Sequence, residues 1–154
     1  MHSLRLLPLT ALVVAACATT TQDPPRAAAA GATNQTPAGG VEFLGSRGAL
    51  SQAVRVGNLL YMSGQLGTDS ARGITPETRI AMQKIKATVE RYGSSMDRVV
   101  KCTVFLVDMS EWSAMNAVYT TFFAEDKRPA RSAVGTPALV NNGRVEIECI
   151  AVLP

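Results

Sequence analysis

The chain has 154 residues, with 15 Lys and Arg against 12 Asp and Glu and a single histidine. That is room for one domain of ordinary size. A net charge of +3, carried by scattered basic residues without interleaved aromatics, is of the size that keeps a protein soluble and does not mark a nucleic-acid surface.

In chain order, the first segment reads as a targeting signal. Arg5 and the amino terminus give a positive start, and Leu6 to Ala16 form an apolar run. The run is too short to span a hydrocarbon core of roughly 30 Å. It stops at Val14-Ala15-Ala16-Cys17, which resembles a bacterial lipobox whose cysteine is lipidated after cleavage. The alternative is an ordinary cleaved signal followed by a chance cysteine. Ala18, where an inner-membrane lipoprotein would carry Asp, resembles the sorting pattern for the outer membrane. The expectation is therefore residues 1–17 as signal and lipobox, with the mature chain exported and held by a lipid at the periplasmic face.

Loss of the signal removes Arg5 and His2, leaving 14 basic and 12 acidic residues and no histidine. That excludes Ser-His-Asp and Cys-His catalysis and His-ligated metal sites in the mature chain. Residues 18–40 contain Asp23-Pro24-Pro25, four consecutive alanines from Ala27, and Gly39-Gly40. Too few apolar residues are present to build a core, so this stretch reads as a flexible tether.

Periodic patterning begins near Val41 and defines a domain over residues 41–154. Ala53 to Val56 and Leu59 to Ser63 read as strands of a hairpin turning at Gly57-Asn58. Thr75-Pro76-Glu77 predicts a helix start, with Thr75 as N-cap. Thr78, Met82, Ile85, Val89 and Tyr92 then fall on one helical face, and Gly93 ends it. Val99 to Val107 predicts a long strand. Ser110 is expected to cap a second helix whose buried stripe is Trp112, Met115, Tyr119, Phe122 and Phe123. Pro129 closes that segment. Ala130 to Gly135 and Arg144 to Val152 read as the last strands, joined through Pro137 and Asn141-Asn142-Gly143.

This order, ββ(β)αβαββ, predicts an α+β two-layer sandwich with two helices on one face of a mixed sheet. The other face needs cover, which association between copies would supply. Cys102 and Cys149 each lie within a strand-like run without a CxxC partner. Export would permit a disulfide, but two buried free thiols are the expectation.

Three stretches carry a family resemblance over about residues 41–153. Gly57-Asn58-Leu59-Leu60-Tyr61-Met62-Ser63-Gly64-Gln65 is the first. Asn116-Ala117-Val118-Tyr119 with Phe122-Phe123 is the second. The third is Arg128-Pro129-Ala130-Arg131-Ser132 followed by Val145-Glu146-Ile147-Glu148-Cys149-Ile150-Ala151. In that order they are similar to signatures of the RidA/YjgF family of reactive-intermediate deaminases. The resemblance implies a chorismate-mutase-like fold and a homotrimer with clefts between subunits. It implies hydrolysis of 2-imino acids or their enamine tautomers to 2-keto acids and ammonia, with no metal or organic cofactor. Pyridoxal-phosphate-dependent dehydratases are one source of such imines.

Site roles follow residue by residue. Arg131 is the group for the substrate carboxylate, because a guanidinium pairs bidentately and stays charged. The alternative for Arg131 is a structural ion pair with Glu148 or Asp126. Glu146 is the carboxylate that would orient water. By alternation it shares a strand face with Glu148, and the alternative is that both are simply solvated. Ser63 and Gly64 match the family's pocket lining, and Asn116 a pocket amide. A turn-stabilising hydroxyl and ordinary helix-surface polarity are the plainer readings of Ser63 and Asn116. Ala133 stands where many members have cysteine, so its main chain could contact ligand but no thiol chemistry is available. A common family tyrosine aligns with Leu50 or Ser51. That departure leaves open a small-carboxylate-binding or chaperone-like module without catalysis.

Overall fold

A computed structural model describes residues 40–68 and 72–154. The expected signal, lipidation site Cys17 and most of the tether lie outside the described residues. The elements are β1 (Val41–Leu44), β2 (Ala53–Val56), β3 (Leu59–Met62), β4 (Gln65–Leu66), α1 (Ile74–Arg91), β5 (Val99–Leu106), α2 (Trp112–Tyr119), β6 (Ala130–Gly135) and β7 (Val145–Val152). The strands form one mixed sheet in the order β1-β2-β3-β7-β5-β6, with β4 also paired to β7. Only β5 and β6 run parallel, as their crossover through α2 requires. All other pairs are antiparallel.

Period-two alternation decides which face is buried. On β7, Val145, Ile147, Cys149 and Ala151 turn toward the helices and are buried, whereas Glu146, Glu148, Ile150 and Val152 turn away. On β5, Cys102, Val104 and Leu106 join the buried set. Met82, Ile85 and Val89 of α1 and Met115 of α2 close on these residues and complete the core. Each such side chain stabilises the fold by about 1.5–3 kcal/mol when fully buried. The face away from the helices carries Val41, Phe43, Val56 and Tyr61 exposed, with Phe43 retaining 68% of its surface.

The ends of the helices differ from expectation. Thr75 is not the N-cap of α1. Gly73 holds that position at φ 107°, and the Glu77 side chain accepts its N–H at 3.1 Å. The other Glu77 carboxylate oxygen accepts the Arg144 N–H at 2.8 Å, so a fully buried carboxylate ties the start of α1 to the turn before β7. Gly67 is required by the same packing, since a β-carbon there would collide with the Glu77 backbone. The far end follows the sequence reading: Gly93 at φ 85° allows Gly93 N–H to bond Glu90 and Ser94 N–H to bond Val89, closing a Schellman motif. Ser110 does not cap α2. Asp108 accepts both the Ser110 N–H and hydroxyl and opens a 3-10 turn, Met109–Glu111, that leads into the helix. Those hydrogen bonds, chiefly the one from the hydroxyl, hold the Asp108 carboxyl below its usual range.

The cysteines are buried as expected but are not free. Cys102 and Cys149 face each other directly across β5 and β7 and form a disulfide. Neither run shows the other's register, so sequence spacing could not have paired them.

Candidate functional site

The structure places the expected site residues in two groups. The first is built on β6 and α2. Arg131 aligns with Cys102 of β5, so its side chain leaves β6 on the helix-covered side. There its guanidinium carbon lies 4.6 Å from the centre of the Tyr119 ring and 5.5 Å from that of Trp112. Arg131 is half-buried, and its side chain forms no hydrogen bond or ion pair with any described residue, Glu148 and Asp126 included. Asn116 lies one helical turn from both rings on α2, on the same side. Ala133 is half-buried two residues after Arg131 on β6, the outermost strand, where half of the backbone donors and acceptors lack a strand partner.

The second group is built where the chain breaks between β3 and β4. Both strands pair with β7, and Ser63-Gly64 forms the step between them. The Ser63 hydroxyl donates to the Ser51 carbonyl at 2.6 Å, and its N–H bonds the Gln52 carbonyl at 3.1 Å. Those bonds fit a turn-stabilising role and also set the hydroxyl beside Leu50 and Ser51, with which it lines a shallow hollow. Gly64 lies against Glu146: a β-carbon there would collide with the Glu146 carboxylate. Glu146 is half-buried, and Glu148, two residues on, is exposed. The two acids do share a strand face, as alternation requires.

These groups do not meet within one chain. Arg131 and Glu146 leave opposite faces of the sheet, and β5 runs between their strands. By strand spacing and rise their Cα atoms are about 14 Å apart. A 2-imino acid cannot span that gap through a sheet. Either one group is idle or each is completed by another copy.

Two residues beside Arg131 escaped the sequence reading as functional. Both Trp112 and Tyr119 were assigned to the core stripe; Tyr119, 3% exposed, does lie in the core, whereas Trp112 keeps 39% of its surface exposed. Burial pushes the Tyr119 hydroxyl up to about 12, against the opposing pull of the Arg131 charge. The available signal was their seven-residue spacing on the helix that precedes the arginine strand.

Over most of its length the chain is similar to several known proteins. A 2-iminobutanoate/2-iminopropanoate deaminase of Capra hircus is 42% identical over 111 residues, covering 68% of this chain and 80% of that one. A RutC family protein of Pyrococcus horikoshii is 41% identical over 110 residues, covering 68% and 86%. A YjgF-family crystal structure from Neisseria meningitidis superposes with a TM-score of 0.72 at 25% identity, covering 76% of this chain and 98% of that one. With residues 41–153 also matching the family model described as endoribonuclease L-PSP, this chain belongs to that family, known equally as RidA/YjgF.

Proposed function

We propose that the protein hydrolyses small 2-imino acids or their enamine tautomers, in clefts between the copies of a homotrimer. The observation that carries this reading is Arg131: a half-buried guanidinium held by two aromatic rings and paired with no described acid. Arginines fully withdrawn from water are almost always paired with an anion, and Arg131 is partly so withdrawn. One whose N–H edge is unengaged within the chain suits a carboxylate ligand, which it can grip through two parallel hydrogen bonds.

In this reading Arg131 of one copy holds the substrate carboxylate and Glu146 of the next positions water. The water oxygen adds to the imine carbon while Glu146 takes one water proton and passes it to nitrogen, giving the carbinolamine. The remaining hydroxyl proton then moves to nitrogen by way of Glu146 as the C=O bond forms and the C–N bond breaks, and the 2-keto acid and ammonia leave. Asn116, Ser63 and the Ala133 main chain border the same cleft. The separation of Arg131 from Glu146 within the chain and the apolar open face of the sheet both support assembly. The relatives named as deaminases support the reaction class.

Export with a lipid on Cys17 belongs to the same proposal. A disulfide between Cys102 and Cys149 supports it independently, because such bonds persist in oxidising compartments and are rare in the cytosol.

The test is release of keto acid and ammonia by the full chain, with 2-iminopropanoate and 2-iminobutanoate generated in situ. Acceleration in the wild type and none in Arg131→Ala is the expected result. A folded protein that accelerates neither imine would overturn the reaction and leave a carboxylate-binding module.

A further inference from the structure

The way Arg131 is held has a chemical consequence. Trp112 and Tyr119 are seven residues apart, two turns of helix, and so project from one side of α2. They hold the guanidinium differently. Tyr119 is buried, rests on Phe123 with ring centres 5.0 Å apart, and its hydroxyl has no hydrogen-bond partner among the described residues. It is a fixed floor whose ring does the holding. Trp112 is substantially exposed and forms an outer wall.

A carboxylate in their place would hold Arg131 equally well but would occupy its N–H edge and cancel its charge. A ring attracts the cation through the electron-rich face. A ring offers no acceptor atom in place of a carboxylate, and the five guanidinium N–H donors of Arg131 have no partner among the described residues, so the two rings hold the cation with its donors open. We propose that Trp112 and Tyr119 are positioning residues for Arg131. They fix the guanidinium with aromatic faces so that its N–H edge stays available to the substrate carboxylate. The proposal rests on Arg131 being the carboxylate-binding group.

The chain contains one tryptophan, so its emission reports on this place alone. The experiment titrates the full chain with 2-oxobutanoate, reading tryptophan emission and binding heat together, and compares Trp112→Ala, Trp112→Leu and Trp112→Phe by heat. Emission is expected to change with ligand in the wild type and not in Arg131→Ala. Trp112→Ala and Trp112→Leu should both bind roughly five- to tenfold more weakly, the size of a partly exposed cation–π contact, and Trp112→Phe should restore most of the affinity. In imine hydrolysis the loss should fall on KM with kcat little changed, since the carboxylate is gripped alike in ground and transition states. A merely structural role would lower thermal stability without that split, and Leu would serve as well as Phe.

Wild-type affinity in Trp112→Ala, or a loss that Phe does not restore better than Leu, would overturn the positioning role while leaving the Arg131 assignment intact. Failure of the folded wild type to bind 2-oxobutanoate would strike the Arg131 assignment itself, and the positioning role with it.

Discussion

The two faces of the sheet hold their charged site residues by different means. On the helix-covered face, Arg131 lies between Trp112 and Tyr119, apolar surroundings that give it no counter-charge. On the open face, Glu146 is set by backbone geometry: a two-residue step between β3 and β4 leaves room for its carboxylate only because Gly64 has no side chain. The first region is rigid through packing and the second through the shape of the main chain. Neither holds both an electrostatic grip and a group to aim water, so in the proposed reaction this strand order divides the chemistry between copies.

The strand pair between these regions carries the largest expected effect. The Cys102–Cys149 disulfide joins β5 to β7 and closes a segment of 47 residues in separation, which contains α2, β6, Arg131 and Glu146. A crosslink of that span stabilises by about 4 kcal/mol through the unfolded chain. Reduction should therefore lower the melting temperature by on the order of 15 °C. Thiol titration of the unfolded, unreduced protein should find neither Cys102 nor Cys149. Two titratable thiols there would show the bond to be absent in the purified protein.

The proposed division between copies makes a sharper test. Arg131→Ala should lower kcat/KM by about 100-fold or more, the loss of a charge-assisted bidentate grip of about 3 kcal/mol. Glu146→Gln should do the same through loss of the base. Unfolded and refolded together in equal amounts, the two inactive variants should regain roughly a quarter of wild-type activity, because random assembly brings an intact Arg131 opposite an intact Glu146 at that frequency. Recovery of none would mean that the two residues do not form one site across an interface.

Much of this molecule was legible in its sequence, and the failures share a cause. The stripe on α1, the Gly93 stop, the Gly57 turn and the bounds of β6 are local matters, fixed by periodicity and by residues with restricted backbones. Both N-cap assignments failed because a longer side chain reached further than the nearest hydroxyl. Glu77 bonds back to Gly73, and Asp108 bonds forward to Ser110. The disulfide and the separation of Arg131 from Glu146 depend on β5 lying between β6 and β7 with Cys102 opposite Cys149, and no stretch of sequence states that order. Alternation correctly put Glu146 and Glu148 on one face, but could not show that Arg131 belongs to the other. Trp112 was read as core because it completes a stripe. It stands at the helix's first position, where the stripe runs out of sheet to cover.

Gly64→Ala tests the backbone-set region by itself. Gly64 has no positive φ, so alanine meets no left-handed backbone there, and the atoms nearest its β-carbon would be those of the Glu146 side chain, the carboxylate first. Displacing that carboxylate by about 1 Å should reduce kcat by tens of fold, with KM much less affected. Unchanged turnover in Gly64→Ala would show that the placement of Glu146 is not critical, and would favour the reading in which that acid is simply solvated.

The smallest effect belongs to the packed region and appears only in alkali. Burial raises Tyr119 from 10.0 to about 12, with the Arg131 charge opposing and losing. The folded state thus keeps the phenolic proton over a range in which the unfolded chain has lost it. A group whose folded value is raised contributes stability in full below the unfolded value and loses it as pH climbs through the folded one. Unfolding free energy should therefore decline between pH 10 and 12, by about 2 kcal/mol on this account. Tyr119→Phe should lack that part of the decline and, having removed a buried hydroxyl without a partner, should be no less stable at neutral pH. Denaturant titrations of both proteins across that range give the difference directly, since the two differ only in this hydroxyl. Parallel curves would mean that water reaches the hydroxyl, and Tyr119 would then be a less rigid floor for Arg131 than its burial suggests.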